Sequence, residues 1–422
     1  MKKILFIGDL RSANNYGAIA TTDTLINSIC AKIDCNSIKF IGYKSLRLPT
    51  PPNGWKKKNQ ISIKNKLRDL SPSFIKRIWA KKDHYKRIDF VPFLFSQYES
   101  YAKSMVGGDI MQYEKKMIEN SDIIYINGEG NIVNGTDRYG KYRIGGLYIL
   151  FVAWVAKVKF SKTVCLVNHT VDPANMDVWE IINNVYPQLD YVYVRERLSV
   201  AKLHEQGIFN IKFVPDALFS YTPQKEWKPS KQLSKVIDFT RPYICIGDSS
   251  GIKNVYNKVK WDVVDVMSEL ISKLKKVIPQ VIFIDGYNGG NEDVNQIIKK
   301  LDLGCIRLQN TTYHDLYQIL KEASIFISGR WHASILAVLS GTPILLWGSD
   351  SHKTRSLYEL LNYSYPFFEV NTLPIHIDEI ISSSIEIINN KERINKELLE
   401  HVKVLADLSK ENTELLFELY EK

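Results

Sequence analysis

Ile325-Phe326-Ile327-Ser328-Gly329-Arg330-Trp331-His332, running on through Ala333–Leu339 and Gly341-Thr342-Pro343 to Ile344–Trp347, is the stretch that decides the fold. Ile325–Ser328 is a short β-branched and aromatic run, which predicts a buried strand. Ala333–Leu339 predicts a helix that Gly341 ends, and Ile344–Trp347 resumes the strand pattern. Arg330 and His332 therefore sit where a strand hands over to a helix. There the unpaired backbone N–H groups and the helix dipole favour an anion. A second basic helix start follows at Ser351-His352-Lys353-Thr354-Arg355. Cations in a first helical turn oppose the dipole, so a bound phosphate or carboxylate is the natural reason for them.

The same alternation extends in both directions. In the first half, strands are expected near Lys3–Ile7, Ser37–Ile41, Ile123–Ile126, Thr163–Val167, Tyr191–Val194 and Ile211–Val214. In the second they fall near Tyr243–Ile246, Val281–Ile284, Cys305–Leu308, Ile325–Ser328 and Ile344–Trp347, with a weaker one at Phe367–Val370. Strands alternating with helices imply parallel sheets covered on both faces. The polar stretch Ser220–Arg241 reads as a linker between two halves. The expected class is α/β, with two doubly wound Rossmann-like domains facing a cleft, a GT-B-like architecture. The expected divisions are 1–220 with a basic insertion at about 44–120, a linker at 221–241, a second Rossmann-like domain at 242–395 and a C-terminal helix at 396–422. That last helix is placed to cross back onto the first domain.

At 422 residues the chain is too long for one ordinary core, and 45% hydrophobic with 24% charged residues is a globular composition. The net charge of +10 is concentrated: residues 44–87 hold fourteen Lys and Arg against Asp69 and Asp83, giving +12 there. The remainder is close to neutral, so a nucleic-acid-binding surface is a poor account of the charge. Phe74, Ile75, Ile78 and Trp79 fall on one helical face among lysines and arginines. That pattern suits either a surface helix packed on the body or one lying on anionic lipid, so peripheral membrane contact through residues 44–87 is an expectation. The five scattered cysteines lack a Cys-x-x-Cys, which argues for a reducing compartment and against a disulfide framework or a zinc site. The four-residue apolar run Ile4–Ile7 is too short for a signal peptide core, and Leu147–Ala156 too short to span a bilayer. A cytoplasmic location is expected, with a peripheral position at the inner face of the plasma membrane as the option the lipid-facing helix leaves open.

Polar motifs follow the strands, where open α/β sheets bind ligands. Asn15 and Gly17 follow the first; Gly128, Glu129 and Gly130 the third; His169 the fourth; Arg195, Glu196 and Ser199 the fifth; Asp216 the sixth. Taken singly, each suits a structural loop about as well as a site. Their weight comes from lying along one edge. No Asp-x-Asp, His-Glu-x-x-His, Walker loop or Gly-x-Ser-x-Gly occurs, and Gly128–Gly130 lacks the third glycine of a dinucleotide fingerprint.

Arg195-Glu196-x-x-Ser199, Val214-Pro215-Asp216 and Ser328-Gly329-Arg330-x-His332-Ala333 with Gly341-Thr342-Pro343 and Lys353 together resemble the polysaccharide pyruvyl transferase family. Asn15-x-Gly17 and Gly128–Gly130 support the resemblance. It implies a phosphoenolpyruvate-dependent transferase that places a pyruvate ketal on a sugar of a cell-surface glycan or its precursor. It implies donor binding by Arg195, Arg330, His332 and Lys353, with His169 a weaker match, and Ser199 stands beside them. No cofactor is expected beyond phosphoenolpyruvate as co-substrate. The expected partner is a glycan or lipid-linked oligosaccharide acceptor, met by Asn15, Gly17, Gly128 and Glu129. His332, Arg330, Glu129 and Asp216 are the expected catalytic groups. Trp331 and Ala18 depart from the family pattern, which often has an aliphatic and an acidic residue there. The rival reading is a GT-B glycosyltransferase using a nucleotide sugar, for which Glu359 is the ribose-binding candidate. A second rival, a membrane-docked binding protein without catalysis, predicts that changing Arg330 would cost no function.

Overall fold

The computed structural model describes residues 2–13, 15–42, 91–133, 144–253, 259–286, 292–307, 309 and 311–421. The basic stretch 44–87 and its expected amphipathic helix lie outside them.

Two parallel sheets organise the described residues. The first holds β1 (Ile4–Ile7), β2 (Ile38–Ile41), β3 (Ile123–Val133), β4 (Thr163–Asp172), β5 (Tyr191–Val194) and β6 (Lys212–Phe213), in the order β2-β1-β3-β4-β5-β6. The second holds β7 (Tyr243–Ser249), β8 (Gln280–Asp285), β9 (Gly304–Arg307), β10 (Ile325–Gly329) and β11 (Ile344–Leu346), in the order β11-β10-β7-β8-β9. Central strands read as unbroken apolar runs because helices cover both faces; Ile4–Phe6 and Ile325–Ile327 are wholly buried. Each sheet has one reversal of strand order, between β1 and β3 and between β7 and β10. Crevices at such reversals are where this architecture takes ligands.

The helix Ile144–Val158 is buried from Gly146 to Ala156 and packs on β3 and β4. Residues 221–241 leave the first sheet and tuck Leu233 and Ile237 into the second core. The tail is two helices, divided at Lys410. Lys391–Ser409 packs Ile394, Leu398, Val402 and Leu405 on the second core, whereas Glu411–Glu421 returns Leu415, Leu416 and Leu419 to the first.

Three expectations need correction. The polar motifs after the third and fourth strands lie inside β3 and β4, which run well past Ile126 and Val167. The apolar signal stops there, yet pairing continues through bulges, with Glu129 opposite His169 and a register shift before Ile132. Glu129 and Asn168 take left-handed backbone, φ 50° and 53°. The amides of Asn127 and Asn168 bond each other at 3.0 Å, which satisfies polar groups where a sheet interior would not. Phe367–Val370 is no strand; only Phe368 bridges to Trp347, because a 3-10 helix begins at Val370. Cys30 and Cys35 are joined as a disulfide with Cα atoms 5.2 Å apart. It is a local staple across one turn, which spacing alone did not reveal.

Candidate active site

The facing carboxyl edges of the two sheets enclose a cavity of about 150 Å³. Asn15, Gly17, Glu129 and Arg195 reach it from the first sheet; Arg330, His332 and Lys353 reach it from the second.

Arg195, at the end of β5, is 1% exposed. Its Nη1 lies 2.7 Å from Asp216 Oδ2 and 3.9 Å from Glu129 Oε1, and its Nε donates to Glu196 at 3.1 Å and Thr170 at 3.0 Å. Asp216 and Glu196 are completely buried, and this guanidinium is the counter-ion they share. Burial opposes ionisation of Asp216, but Arg195 and His332 outweigh it and keep its carboxyl far below the usual range. The remaining Asp216 oxygen accepts from Thr21 at 2.8 Å and from the Leu218 N–H at 2.9 Å. Asp216 therefore stands behind the cavity as an anchor for cations, with no face left for a substrate.

His332 sits in the first turn of the helix Trp331–Leu339. Its Nε2 lies 3.2 Å from Glu129 Oε1, 3.3 Å from Asp216 Oδ2 and 3.3 Å from Arg195 Nη1. Gly17 is what lets the ring sit there: a Cβ on it would fall 2.3 Å from His332 Nδ1. Glu129 is driven up by burial but pulled below its ordinary value by His332, Arg195 and Lys353 together. It is thus an ionised carboxylate pointing at an imidazole, the pairing a proton transfer requires.

Arg330 ends β10 and gives its Nε to Asp248 at the end of β7, across the second strand reversal. The carboxylate fixes the plane of the guanidinium beside the cavity. No side chain caps the helix that starts after Arg330, which suits that start to an anion. At the helix Lys353–Leu361 the Asp172 carboxylate already accepts the His352 N–H at 3.1 Å. Lys353 Nζ is held 2.8 Å from Asp350 Oδ1, which also accepts from Ser250 at 2.9 Å.

Not every expected residue reaches the cavity. Gly128 packs under His169, whose ring is wholly buried with Nε2 2.8 Å from the Tyr186 hydroxyl. Ser199 is wholly buried and donates to Glu196 Oε2 at 2.9 Å. Glu359 is exposed on its helix, away from the lining residues. Sequence reasoning missed Asp248, at the end of β7, Asp350, which follows β11, and Trp331, whose indole N–H donates to Asp216 Oδ2 at 3.1 Å. Among the described residues no cluster of three His, Cys, Asp or Glu side chains could hold a metal ion.

Burial first, and then the charge of Arg195, push the His169 imidazole down to about 3 from 6.5. Between those values the unfolded chain binds a proton that the folded one refuses, so stability falls as pH drops below about 6.5. His169→Gln should remove this component. The loss of unfolding free energy between pH 7 and 5 should shrink by about 2 kcal/mol in urea titrations. An unchanged difference would mean that His169 titrates normally.

This architecture and site define a GT-B-type two-domain protein whose cleft carries converging cations. The fold is similar, over 100% of both chains, to sucrose-phosphate synthase from Thermosynechococcus elongatus (10% identity, TM-score 0.55). It is likewise similar to a putative UDP-N-acetylglucosamine 2-epimerase from Listeria monocytogenes (10% identity, 94% of this chain and 90% of that one, TM-score 0.53). A glycosyltransferase from Rickettsia africae gives 12% identity over 100% and 99% of the two chains, with TM-score 0.52. At such identities the likeness is one of fold. No curated protein matches the chain significantly. Residues 33–351 match the model of the polysaccharide pyruvyl transferase family, and the chain belongs to that family.

Proposed function

We propose that this transferase moves the pyruvyl group of phosphoenolpyruvate onto two hydroxyls of a glycan sugar, forming a ketal and releasing phosphate. The observation that carries the reading is the convergence of Arg195, Arg330, His332 and Lys353 on one small cavity beside an uncapped helix start. A donor with a phosphate and a carboxylate on three carbons calls for cations on more than one side.

In the proposed mechanism, protonated His332 gives its proton to the methylene carbon, which becomes the methyl group. The first sugar hydroxyl then adds at the central carbon. Glu129 takes the first hydroxyl's proton and passes it to His332, 3.2 Å away; the second hydroxyl displaces phosphate, which takes that hydroxyl's proton and leaves toward Arg330 and Lys353. Glu129 is the base, because it lines the cavity and faces His332, whereas Asp216 only orients. An arriving anion would raise the proton affinity of Glu129, which suits a group that must accept a hydroxyl proton. The acceptor belongs on the Asn15–Gly17 and Glu129 side, and its being lipid-linked would fit the basic stretch 44–87 at an anionic membrane surface. Among the described residues no helix is long and apolar enough to cross a membrane.

Thermal unfolding with phosphoenolpyruvate, and separately with nucleotide sugars, tests the donor. At a hundred times its dissociation constant, phosphoenolpyruvate should stabilise the protein by about 2.7 kcal/mol. Arg330→Ala should abolish the effect and Arg330→Lys should restore little, because a point charge cannot replace the planar fork. A response to a nucleotide sugar alone would replace this reading with glycosyl transfer.

A further inference from the structure

Beyond the cavity, a second polar cluster joins the two sheets. Ser199 Oγ lies 3.1 Å from His352 Nε2, and His352 Nδ1 lies 3.3 Å from Asp172 Oδ2. The order of atoms is that of a serine nucleophile with its base and orienting acid. Burial argues against that role: Ser199 has no exposed surface, its hydroxyl donates to Glu196 Oε2, and it accepts from the Val171 N–H at 3.0 Å. No substrate could approach it.

The partners come from opposite sides of the cleft. Asp172 ends β4 and Ser199 lies in the helix Arg197–Glu205, both belonging to the first sheet. His352 precedes the helix Lys353–Leu361 of the second. Asp172 Oδ2 also accepts the His352 backbone N–H at 3.1 Å, while Asp172 Oδ1 pairs with Lys202. Hydrogen bonds run from His352 to Ser199, then Glu196, and then Arg195 Nε, while the backbone joins His352 to Lys353. The cavity cations at either end, Arg195 and Lys353, both approach Gly130: a Cβ there would stand 3.7 Å from Arg195 Nη2 and 4.0 Å from Lys353 Nζ.

We propose that His352 is a positioning residue, a clamp whose contacts with Asp172 and Ser199 hold the two sheet edges closed so that Lys353 faces Arg195. The clamp touches no reacting atom. It sets how much of the population has a complete site, and a donor binding an incomplete site must first close it.

The test has one arm that needs no substrate, and a second that rests on phosphoenolpyruvate as donor. Small-angle X-ray scattering of the full chain without ligand should show His352→Ala more extended than wild type, with helical content unchanged by circular dichroism. Ser199→Ala should extend it similarly, and the double variant no further, because the two side chains act as one contact. In steady-state assays His352→Ala should raise the phosphoenolpyruvate KM about tenfold while changing kcat at saturation less than about twofold. His352→Gln, which keeps a donor toward Ser199, should recover part of the loss. Unchanged scattering in His352→Ala would overturn the clamp, as would a fall in kcat at unchanged KM. Expanded scattering with no response to phosphoenolpyruvate would keep the clamp and reject the donor.

Discussion

Arg195→Met should cost the folded protein about 3–5 kcal/mol, the largest stability effect expected from a single change in the site. The substitution keeps much of the volume and removes the charge. It leaves the Asp216 and Glu196 carboxyls, both with no exposed surface, and Glu129 without their shared counter-ion. The sign of the pH dependence follows from the depressed carboxyls. Their contribution is complete above the unfolded carboxylate range and is lost progressively as pH falls from there toward the depressed folded values. The gap between wild type and Arg195→Met in urea unfolding should therefore be widest near neutrality and narrow in acid. A gap below about 1 kcal/mol at pH 7 would show that water reaches these carboxylates. Asp216→Asn is the milder change, because a neutral amide can still accept from Trp331.

His332→Gln should lower kcat by roughly 10²–10⁴-fold, the range of a positioned proton donor. Glutamine can still hydrogen-bond Glu129 and Asp216, which His332 approaches at 3.2 and 3.3 Å, so binding and fold should change little. Only the transferable proton is missing. The measurement is phosphate release from phosphoenolpyruvate in the presence of a glycan acceptor, with donor binding followed separately. Retention of more than about a tenth of kcat would remove His332 as the acid. Equal losses in binding and turnover would make it a donor ligand instead.

The strands were legible because double-sided burial demands unbroken apolar runs, and Ile4–Ile7 or Ile325–Ile327 has no other use. Arg330 and His332 were legible because a basic residue at a strand-to-helix junction is costly without an anion. What stayed hidden was the pairing that gives each group its state. Asp216 read equally well as a base, and only its contacts with Arg195, Trp331 and His332 reveal an anchor. Asp172 and His352 are 180 positions apart, and no local pattern connects them. The bulges at Glu129 and Asn168 escaped notice for the opposite reason: pairing across polar residues leaves no hydrophobic trace. His169 looked like a donor ligand in sequence, but β4 turns its ring inward to Tyr186.

The return of Glu411–Glu421 to the first sheet bears on how the molecule is made. Tyr125, near the start of β3, donates its hydroxyl to the Asn412 carbonyl, and Leu416 closes the face formed by Ile4, Phe6 and Leu25. The helix Tyr16–Cys30 covers only part of this face, so the rest stays open until the whole second domain has been synthesised and Glu411–Glu421 follows. Domains generally fold as units during synthesis, but here the first would remain a sticky intermediate until translation has passed residue 411. Chaperone dependence should accordingly concentrate in the N-terminal half. A nascent chain stalled after Asn390 should be captured by a hydrophobic-surface-binding chaperone and released once the final helix docks.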